Sequence, residues 1–117
     1  MVFNVLTHNR DDHVKNFAFR MADDGGWELA PAYDLVFSEG PGGEHTMTVA
    51  GEGRAPARRH LLQLAAPAGI SEADAESILD GVAAAAVRWR VHARQAQVSP
   101  KSARAIEKAI GECLARV

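Results

Sequence analysis

The pattern of apolar residues and turn formers changes once along the chain, near residue 53. Residues 1–53 alternate short apolar runs with glycine-containing turns, which predicts short strands and loops. Residues 54–117 carry apolar side chains at helical spacing, which predicts a helical region. We therefore expect an α+β chain that is mainly α, with a small β-hairpin layer on a helical body, in a single domain over residues 1–117.

The β-hairpin is predicted around the turn formers Asp23-Asp24-Gly25-Gly26. Residues 17–21 and 27–30 flank this turn as two short strands that carry apolar and aromatic side chains. Because a hairpin brings its two ends together, Asn16 before it and Asp34 after it are expected to lie close in space.

Five further elements complete the expected fold. A helix over residues 1–7 leads into the loop that follows it, and residues 46–49 predict a third strand. In the second half, helices are predicted from Pro56, from the capping signature at Ser71, and from Ser99-Pro100. The middle helix is predicted to be continuous because its apolar stripe has no break, and the stripe consists of Ile78, Val82, Ala86, Trp89 and Ala93.

The polar segment over residues 9–16 carries the clearest chemical signal. Asp11 and Asn16 are five positions apart, which is the D-x-x-x-x-N interval of a protein-kinase catalytic loop. In such a loop the aspartate accepts the proton of the substrate hydroxyl and the asparagine binds Mg²⁺. A further acidic residue must bind the metal that bridges the nucleotide phosphates, and Asp34 is the candidate. Taken alone, the spacing is also typical of a solvated turn rich in Asp and Asn.

A metal cluster of the hydrolase kind is a second interpretation of this segment. His8, Asp11, Asp12 and His13 offer imidazole and carboxylate ligands close together in the sequence. Two further liganding residues at a fixed spacing are not evident. The phosphoryl-transfer interpretation is therefore the stronger one.

Two motifs in combination resemble the HipA family of bacterial serine/threonine kinases. The first is Asn9-x-Asp11-x-His13-x-Lys15-Asn16 followed by Phe17, and the second is Trp27-x-Leu29-Ala30-Pro31-Ala32-Tyr33-Asp34-Leu35. The similarity continues through Gly51-Glu52-Gly53 and the helical tail, over essentially the whole chain. It corresponds to the kinase-like C-terminal lobe of such an enzyme.

The resemblance implies the chemistry of the site. Asp11 matches the catalytic base of the family, and Asn16 and Asp34 match its Mg²⁺ ligands. ATP and Mg²⁺ are therefore the implied cofactors. The implied substrate is a protein that presents a Ser or Thr hydroxyl.

The resemblance also assigns the surroundings of the site and its partners. His13 and Lys15 fall in the loop that lies against the ATP phosphates, and Tyr33 flanks the metal-binding aspartate. The family further implies a toxin-antitoxin setting, in which the kinase pairs with a small helix-turn-helix antitoxin of the HipB type.

The sequence does not match the N-terminal portion that binds the nucleotide in such kinases. No glycine cluster forms the G-x-G-x-x-G or G-x-x-x-x-G-K pattern that cradles a triphosphate. We therefore expect the chain to need an N-terminal kinase lobe and to be inactive alone. The alternative is a truncated, non-enzymatic remnant or interaction module that forms a homodimer or binds a partner. Its exposed apolar surface would consist of Val2, Phe3, Val5 and Leu6.

Composition narrows the class of protein. The formal net charge of −2 and the hydrophobic fraction of 47% are typical of globular proteins. No apolar run approaches the roughly 20 residues that span a bilayer, and no signal peptide is evident, so we expect a cytoplasmic protein. The basic residues of 88–94 are interpreted as a solvated helix face, which argues against direct nucleic-acid binding.

Three residues that suggest chemistry are assigned to packing instead. Cys113 lies on the apolar stripe of the last helix, and the sequence places no histidine near it, so we expect a buried structural thiol. Trp27 and Trp89 are expected at core-facing positions of a strand and of a helix.

Overall fold

The computed structural model describes all 117 residues and confirms an α+β chain that is mainly α. Helices, including three short 3-10 turns, contain 49% of the residues, and the single sheet has two strands. In chain order the elements are α1 (Val2–Leu6), β1 (Phe19–Met21), β2 (Trp27–Leu29), α2 (Arg58–Gln63), α3 (Glu72–Ala86), α4 (Trp89–Gln95) and α5 (Pro100–Leu114). Short 3-10 turns occur at Val14–Asn16, Pro41–Gly43 and Ala66–Ala68. None of the helices has the length and apolar character that crossing a membrane requires.

The predicted hairpin is confirmed, but it does not cover a core. β1 and β2 pair antiparallel, with Phe19 opposite Leu29 and Met21 opposite Trp27. Gly25 in the turn has a φ of +83°, a conformation that glycine adopts without a steric penalty. All residues of both strands are exposed, because no other layer packs on either face of the hairpin. The prediction that Trp27 faces the core is therefore wrong, since this residue is 71% exposed.

Residues 46–49 do not form the predicted third strand. Val49 makes only an isolated antiparallel bridge with Glu52, because the chain turns back where Ala50 and Gly51 have positive φ values. The start of the segment bonds to the loop that follows α1 instead, since the Thr46 main-chain N–H donates to the Arg10 carbonyl at 3.0 Å. Residues 46–49 thus brace the loop rather than extend the sheet.

The predicted continuous middle helix is interrupted. α3 ends at Ala86 and α4 begins at Trp89. The Trp89 indole N–H donates to the Ala103 carbonyl at 3.0 Å and links α4 to α5. Trp89 is therefore half-buried between two helices and does not lie in the main core. The apolar spacing continues across the break, which is why periodicity alone did not indicate it.

The helix starts are largely as predicted. The Ser71 and Ser99 hydroxyl oxygens accept hydrogen bonds from the Asp74 and Ser102 main-chain N–H groups, each at 3.1 Å, and so cap α3 and α5. α2 begins at Arg58 rather than at Pro56, because the intervening residue 57 has an extended backbone.

The core lies where α1, α2 and α3 meet. Its buried apolar cluster consists of Val5, Val49, Leu61 and Leu79. Val5 and Leu6 are 1% and 0% exposed, so the prediction that they form an exposed apolar surface is wrong. α1 packs on α3 and α5, which covers this face of the helix. Phe3, by contrast, is 43% exposed.

Candidate functional site

The loop that follows α1 is anchored through its backbone. His8 has a φ of +58°, which turns the chain out of the helix. Asn9 then forms a parallel bridge with Ser38. In this bridge the Arg10 N–H donates to the Ser38 carbonyl and the Ser38 N–H donates to the His8 carbonyl, both at 3.1 Å. The loop is thus tied directly to the segment that follows Asp34.

Asn16 and Asp34 meet at the base of the hairpin, as the sequence predicted. Asn16 Nδ2 donates to Asp34 Oδ2 at 3.1 Å and to the Asp11 main-chain carbonyl at 3.0 Å. Asn16 ends the 3-10 turn before β1, and Asp34 follows β2, so the hairpin brings them together. Both residues line a pocket of about 100 Å³. One amide group therefore connects the carboxylate of Asp34 to the backbone of Asp11.

The adjacent residues Asp11 and Asp12 lie in opposite environments. Asp11 is exposed, and its carboxylate forms neither a hydrogen bond nor an ion pair. Asp12 is buried, where its Oδ2 accepts from His45 Nδ1 at 3.0 Å and its Oδ1 accepts from the Met47 N–H at 3.1 Å. Of these two carboxylates, only that of Asp11 is therefore free to accept a proton from another molecule.

His45 is a buried neutral partner of Asp12. Burial lowers the pKa of His45, and this effect outweighs the opposing effect of the hydrogen bond to Asp12. A neutral imidazole that faces a carboxylate through Nδ1 carries its proton on that nitrogen. The pair is thus a charge-assisted hydrogen bond that attaches the buried side of the loop to the segment that contains His45.

His13, Lys15 and Tyr33 surround the 3-10 turn. His13 Nδ1 accepts from the Lys15 N–H at 3.1 Å and caps the turn. The Tyr33 hydroxyl donates to the Lys15 carbonyl, which ties the loop to the residue before Asp34. The Lys15 side chain is exposed and forms no ion pair, so its ammonium group is available to an anion.

The alternative metal cluster is not formed. No three His, Cys, Asp or Glu side chains are arranged so that they could hold a metal ion. His8 is buried, stacks on Phe37, and places Nε2 3.0 Å from Glu39 Oε2. Asp12 is bonded to His45 in a different place. The four residues that the sequence grouped therefore do not converge on one point.

Cys113 has a histidine neighbour that the sequence analysis missed. Its Sγ lies 3.5 Å from His8 Nδ1 and 3.3 Å from Arg116 Nη2. The prediction that no histidine is near was wrong, because the packing of α1 on α5 joins residues that are 105 positions apart. Cys113 is nevertheless buried, and burial raises the pKa of its thiol, as is typical of a structural cysteine.

Two buried residues support the site without having been assigned a role from the sequence. Asn9 Nδ2 donates to the Asp34 main-chain carbonyl at 3.3 Å, and His45 holds Asp12. The only sequence signal for Asn9 was its place in the motif two positions before Asp11. His45 had no such signal, since it is 33 positions from its partner.

Comparison with known proteins gives one informative result. A family model described as HipA-like C-terminal domain matches residues 1–90, which contain the loop, the hairpin, Asp34 and α1 to α3. α5 lies outside the match, whereas the motifs predict that the similarity continues into the helical tail. No curated protein and no solved structure matches the chain. Because the family model covers 90 of the 117 residues, the chain belongs to the family of HipA-like C-terminal domains.

Proposed function

We propose that the chain is the C-terminal catalytic lobe of a HipA-like serine/threonine protein kinase, which transfers phosphate from ATP to a Ser or Thr hydroxyl of a protein. The observation that carries the proposal is the 3.1 Å contact between Asn16 Nδ2 and Asp34 Oδ2. These residues are 18 positions apart, and the hairpin returns them to one pocket beside Asp11. Convergence of this kind is what a phosphoryl-transfer site requires.

Asp11 is the proposed general base. Its free, exposed carboxylate is able to orient a hydroxyl group and accept its proton. The bond from Asn16 Nδ2 to the Asp11 carbonyl keeps the base at a fixed distance from the proposed metal ligand. Phosphoryl transfer depends mainly on such positioning.

Asn16 and Asp34 are the proposed Mg²⁺ ligands. Mg²⁺ in nucleotide sites takes one or two carboxylates and completes its coordination with phosphates and water. The donor set fits this pattern, because Asp34 supplies a carboxylate and the Asn16 Oδ1 accepts no hydrogen bond within the protein. When bound, Mg²⁺ neutralises charge on the ATP phosphates. His13 and Lys15 are proposed to lie against those phosphates, and the exposed ammonium of Lys15 suits that role.

An N-terminal kinase lobe is proposed to supply the backbone groups that bind the ATP phosphates, because the 117 residues contain no glycine-rich phosphate loop. We therefore expect these residues by themselves to show negligible Mg²⁺-dependent transfer from labelled ATP. Membership of the HipA-like family supports a toxin-antitoxin setting in the cytoplasm, with a HipB-like antitoxin as a proposed partner.

Mn²⁺, used as a paramagnetic substitute for Mg²⁺, tests the metal site directly by nuclear magnetic resonance (NMR). We expect Mn²⁺ to broaden the amide signals of Asn16 and Asp34 with a dissociation constant on the order of millimolar, tightened by added ATP. Asp34→Ala should remove this broadening. Asp23→Ala is the matched control, because it removes an exposed carboxylate at the far turn of the hairpin. Broadening that survives in Asp34→Ala would overturn the proposal.

A non-enzymatic interaction module is the second candidate. The observation that favours it is an apolar groove of about 450 Å³ between α1, the segment after Asp34, and the helices α3 to α5. The groove contains Phe3, Val36, Phe37, Trp89 and Ile106. Apolar surfaces of this kind mark interaction sites, and a second copy of the chain is the proposed occupant. This function needs no free Asp11 carboxylate, whereas the kinase function does.

A further inference from the structure

Asp34 has a backbone conformation that its residue type disfavours. Its φ of +54° lies in the left-handed region, which glycine adopts freely and other residues rarely do. Aspartate tolerates this region better than most residues, but the surrounding structure must still hold it there. The conformation matters because the backbone at this position sets the direction of the carboxylate that contacts Asn16.

The side chain of Asn9 provides a contact that holds Asp34. Asn9 Nδ2 donates to the Asp34 main-chain carbonyl at 3.3 Å and to Asn4 Oδ1 at 3.2 Å. Because a main-chain carbonyl can only accept, the Asp34 bond fixes which end of the amide is the nitrogen. Asn9 is 1% exposed, and its backbone is paired with Ser38, so the donor has a constant position.

We infer that Asn9 is a positioning residue that keeps Asp34 in its left-handed conformation and so aims the Asp34 carboxylate at Asn16. The inference rests on the proposed function, because it explains what orients the carboxylate of Asp34, the proposed metal ligand. Without the Asn9 donor, the Asp34 carbonyl loses its partner and the peptide is free to rotate to a negative φ. The carboxylate would then turn away from Asn16.

The other end of the same amide points to a second contribution. Asn9 Oδ1 is buried and accepts no hydrogen bond within the protein. Asn9 lines the same pocket as Asn16 and Asp34. Buried acceptors are usually satisfied by water, and water ligands complete the coordination of Mg²⁺. Asn9 thus places an unused acceptor in the wall of the pocket, which would accept a hydrogen bond from a water molecule bound to the cation.

The first test measures the backbone of Asp34 in the metal-free protein. A positive φ brings the amide and α protons of one residue closer than a negative φ does, so Asp34 should give a strong intraresidue nuclear Overhauser signal. Asn9→Ala should weaken this signal to the level of ordinary residues. Asn4→Ala is the matched control, because it removes the other partner of the same amide but leaves the bond to Asp34. A signal that is unchanged in Asn9→Ala overturns the inference.

The second test measures the consequence for metal binding by Mn²⁺ broadening. Loss of an outer partner that orients a metal ligand typically weakens affinity by about 10-fold or more, which is the change expected in Asn9→Ala. A purely structural role would weaken binding equally in Asn9→Ala and Asn4→Ala. Equal weakening would therefore contradict the inference, whereas a selective loss in Asn9→Ala would support it.

The two readouts separate the inference from the proposed function. If the wild-type protein shows no Asp34-dependent broadening, the proposed metal site is wrong, while the Overhauser signal still decides whether Asn9 holds Asp34. If Asn9→Ala does not fold, Asn9→Ser provides the same comparison. Its hydroxyl fills part of the buried space with a polar group but is too short to reach the Asp34 carbonyl. The dispersion of the amide spectrum confirms folding for each variant.

Discussion

The loop that follows α1 and its surroundings have a buried side and an exposed side that carry the same kinds of residue in different environments. The buried side consists of Asn9, Asp12 and His45, and the exposed side consists of Asp11 and Asp34 together with the half-buried Asn16. On the buried side, the hydrogen bonds connect the loop to other segments of the chain. On the exposed side, the Asp11 carboxylate and the Asn16 amide oxygen remain free. Residue type alone therefore does not tell which of the two neighbouring carboxylates is available to another molecule, whereas burial does.

The largest expected difference between the two sides is in stability. Asp12→Ala leaves the N–H groups of the buried His45 and the half-buried Met47 without an acceptor, which should lower the free energy of unfolding by about 3 kcal/mol or more. Asp11→Ala removes an exposed carboxylate with no partner and should change the free energy of unfolding by less than about 0.5 kcal/mol. Urea denaturation of both variants measures the difference. Equal losses would show that the two aspartates are not distinguished by burial.

A smaller effect is expected from the titration of His45. An unfolded histidine has a pKa of about 6.5, and burial lowers the pKa of His45 in the folded protein. As the pH falls, the unfolded chain therefore takes up this proton first. The stabilising contribution is complete above about pH 6.5 and is lost progressively as the pH falls below it.

The pH dependence of unfolding isolates this contribution. In His45→Gln, the free energy of unfolding should fall less steeply between about pH 6.5 and pH 5 than it does in the wild-type protein. Gln95→Ala replaces an exposed side chain that carries no titratable group and should keep the wild-type slope. An identical slope in wild type and His45→Gln would mean that the buried imidazole does not titrate in this range.

The sequence was informative where contacts are local and uninformative where they are distant. The convergence of Asn16 and Asp34 was predictable because one hairpin connects them. The opposite burial of Asp11 and Asp12 was not, because neighbouring residues of an irregular loop follow no period that assigns a face. The contact between His8 and Cys113 joins the two ends of the chain, so it depends on how α1 packs on α5.

Secondary structure shows the same division. The hairpin, the Ser71 cap of α3 and the start of α5 at Ser99-Pro100 depend on neighbouring residues and were predicted correctly. The break between α3 and α4 lies just before Trp89, whose indole bonds to the distant helix α5, and the apolar period continues across it. Residues 46–49 have the composition of a strand, but no partner strand is available, and the N–H groups of Thr46 and Met47 bond to the loop instead.

The smallest effect on the loop is expected from substitution of Phe3, which lies on the exposed face of α1. Phe3 lines the apolar groove, whereas the next residue, Asn4, is buried beside Asn9. If the groove packs against a second copy, light scattering of the wild-type protein, at concentrations on the order of tens of micromolar, should give about twice the chain mass of 12.5 kDa. Phe3→Glu should shift the mass toward that of the monomer, because a charge in an apolar interface is costly.

Phe3→Leu is the matched control, because it keeps an apolar side chain in the groove and should preserve the dimer. In both variants the Mn²⁺ broadening at Asn16 and Asp34 should stay within about twofold of wild type, because Phe3 contributes nothing to that pocket. A wild-type protein that remains monomeric throughout this range would exclude the second copy as the occupant of the groove. A Phe3→Glu variant that loses metal binding would instead show that the groove and the exposed side of the loop are coupled through α1, which carries Asn4 toward Asn9.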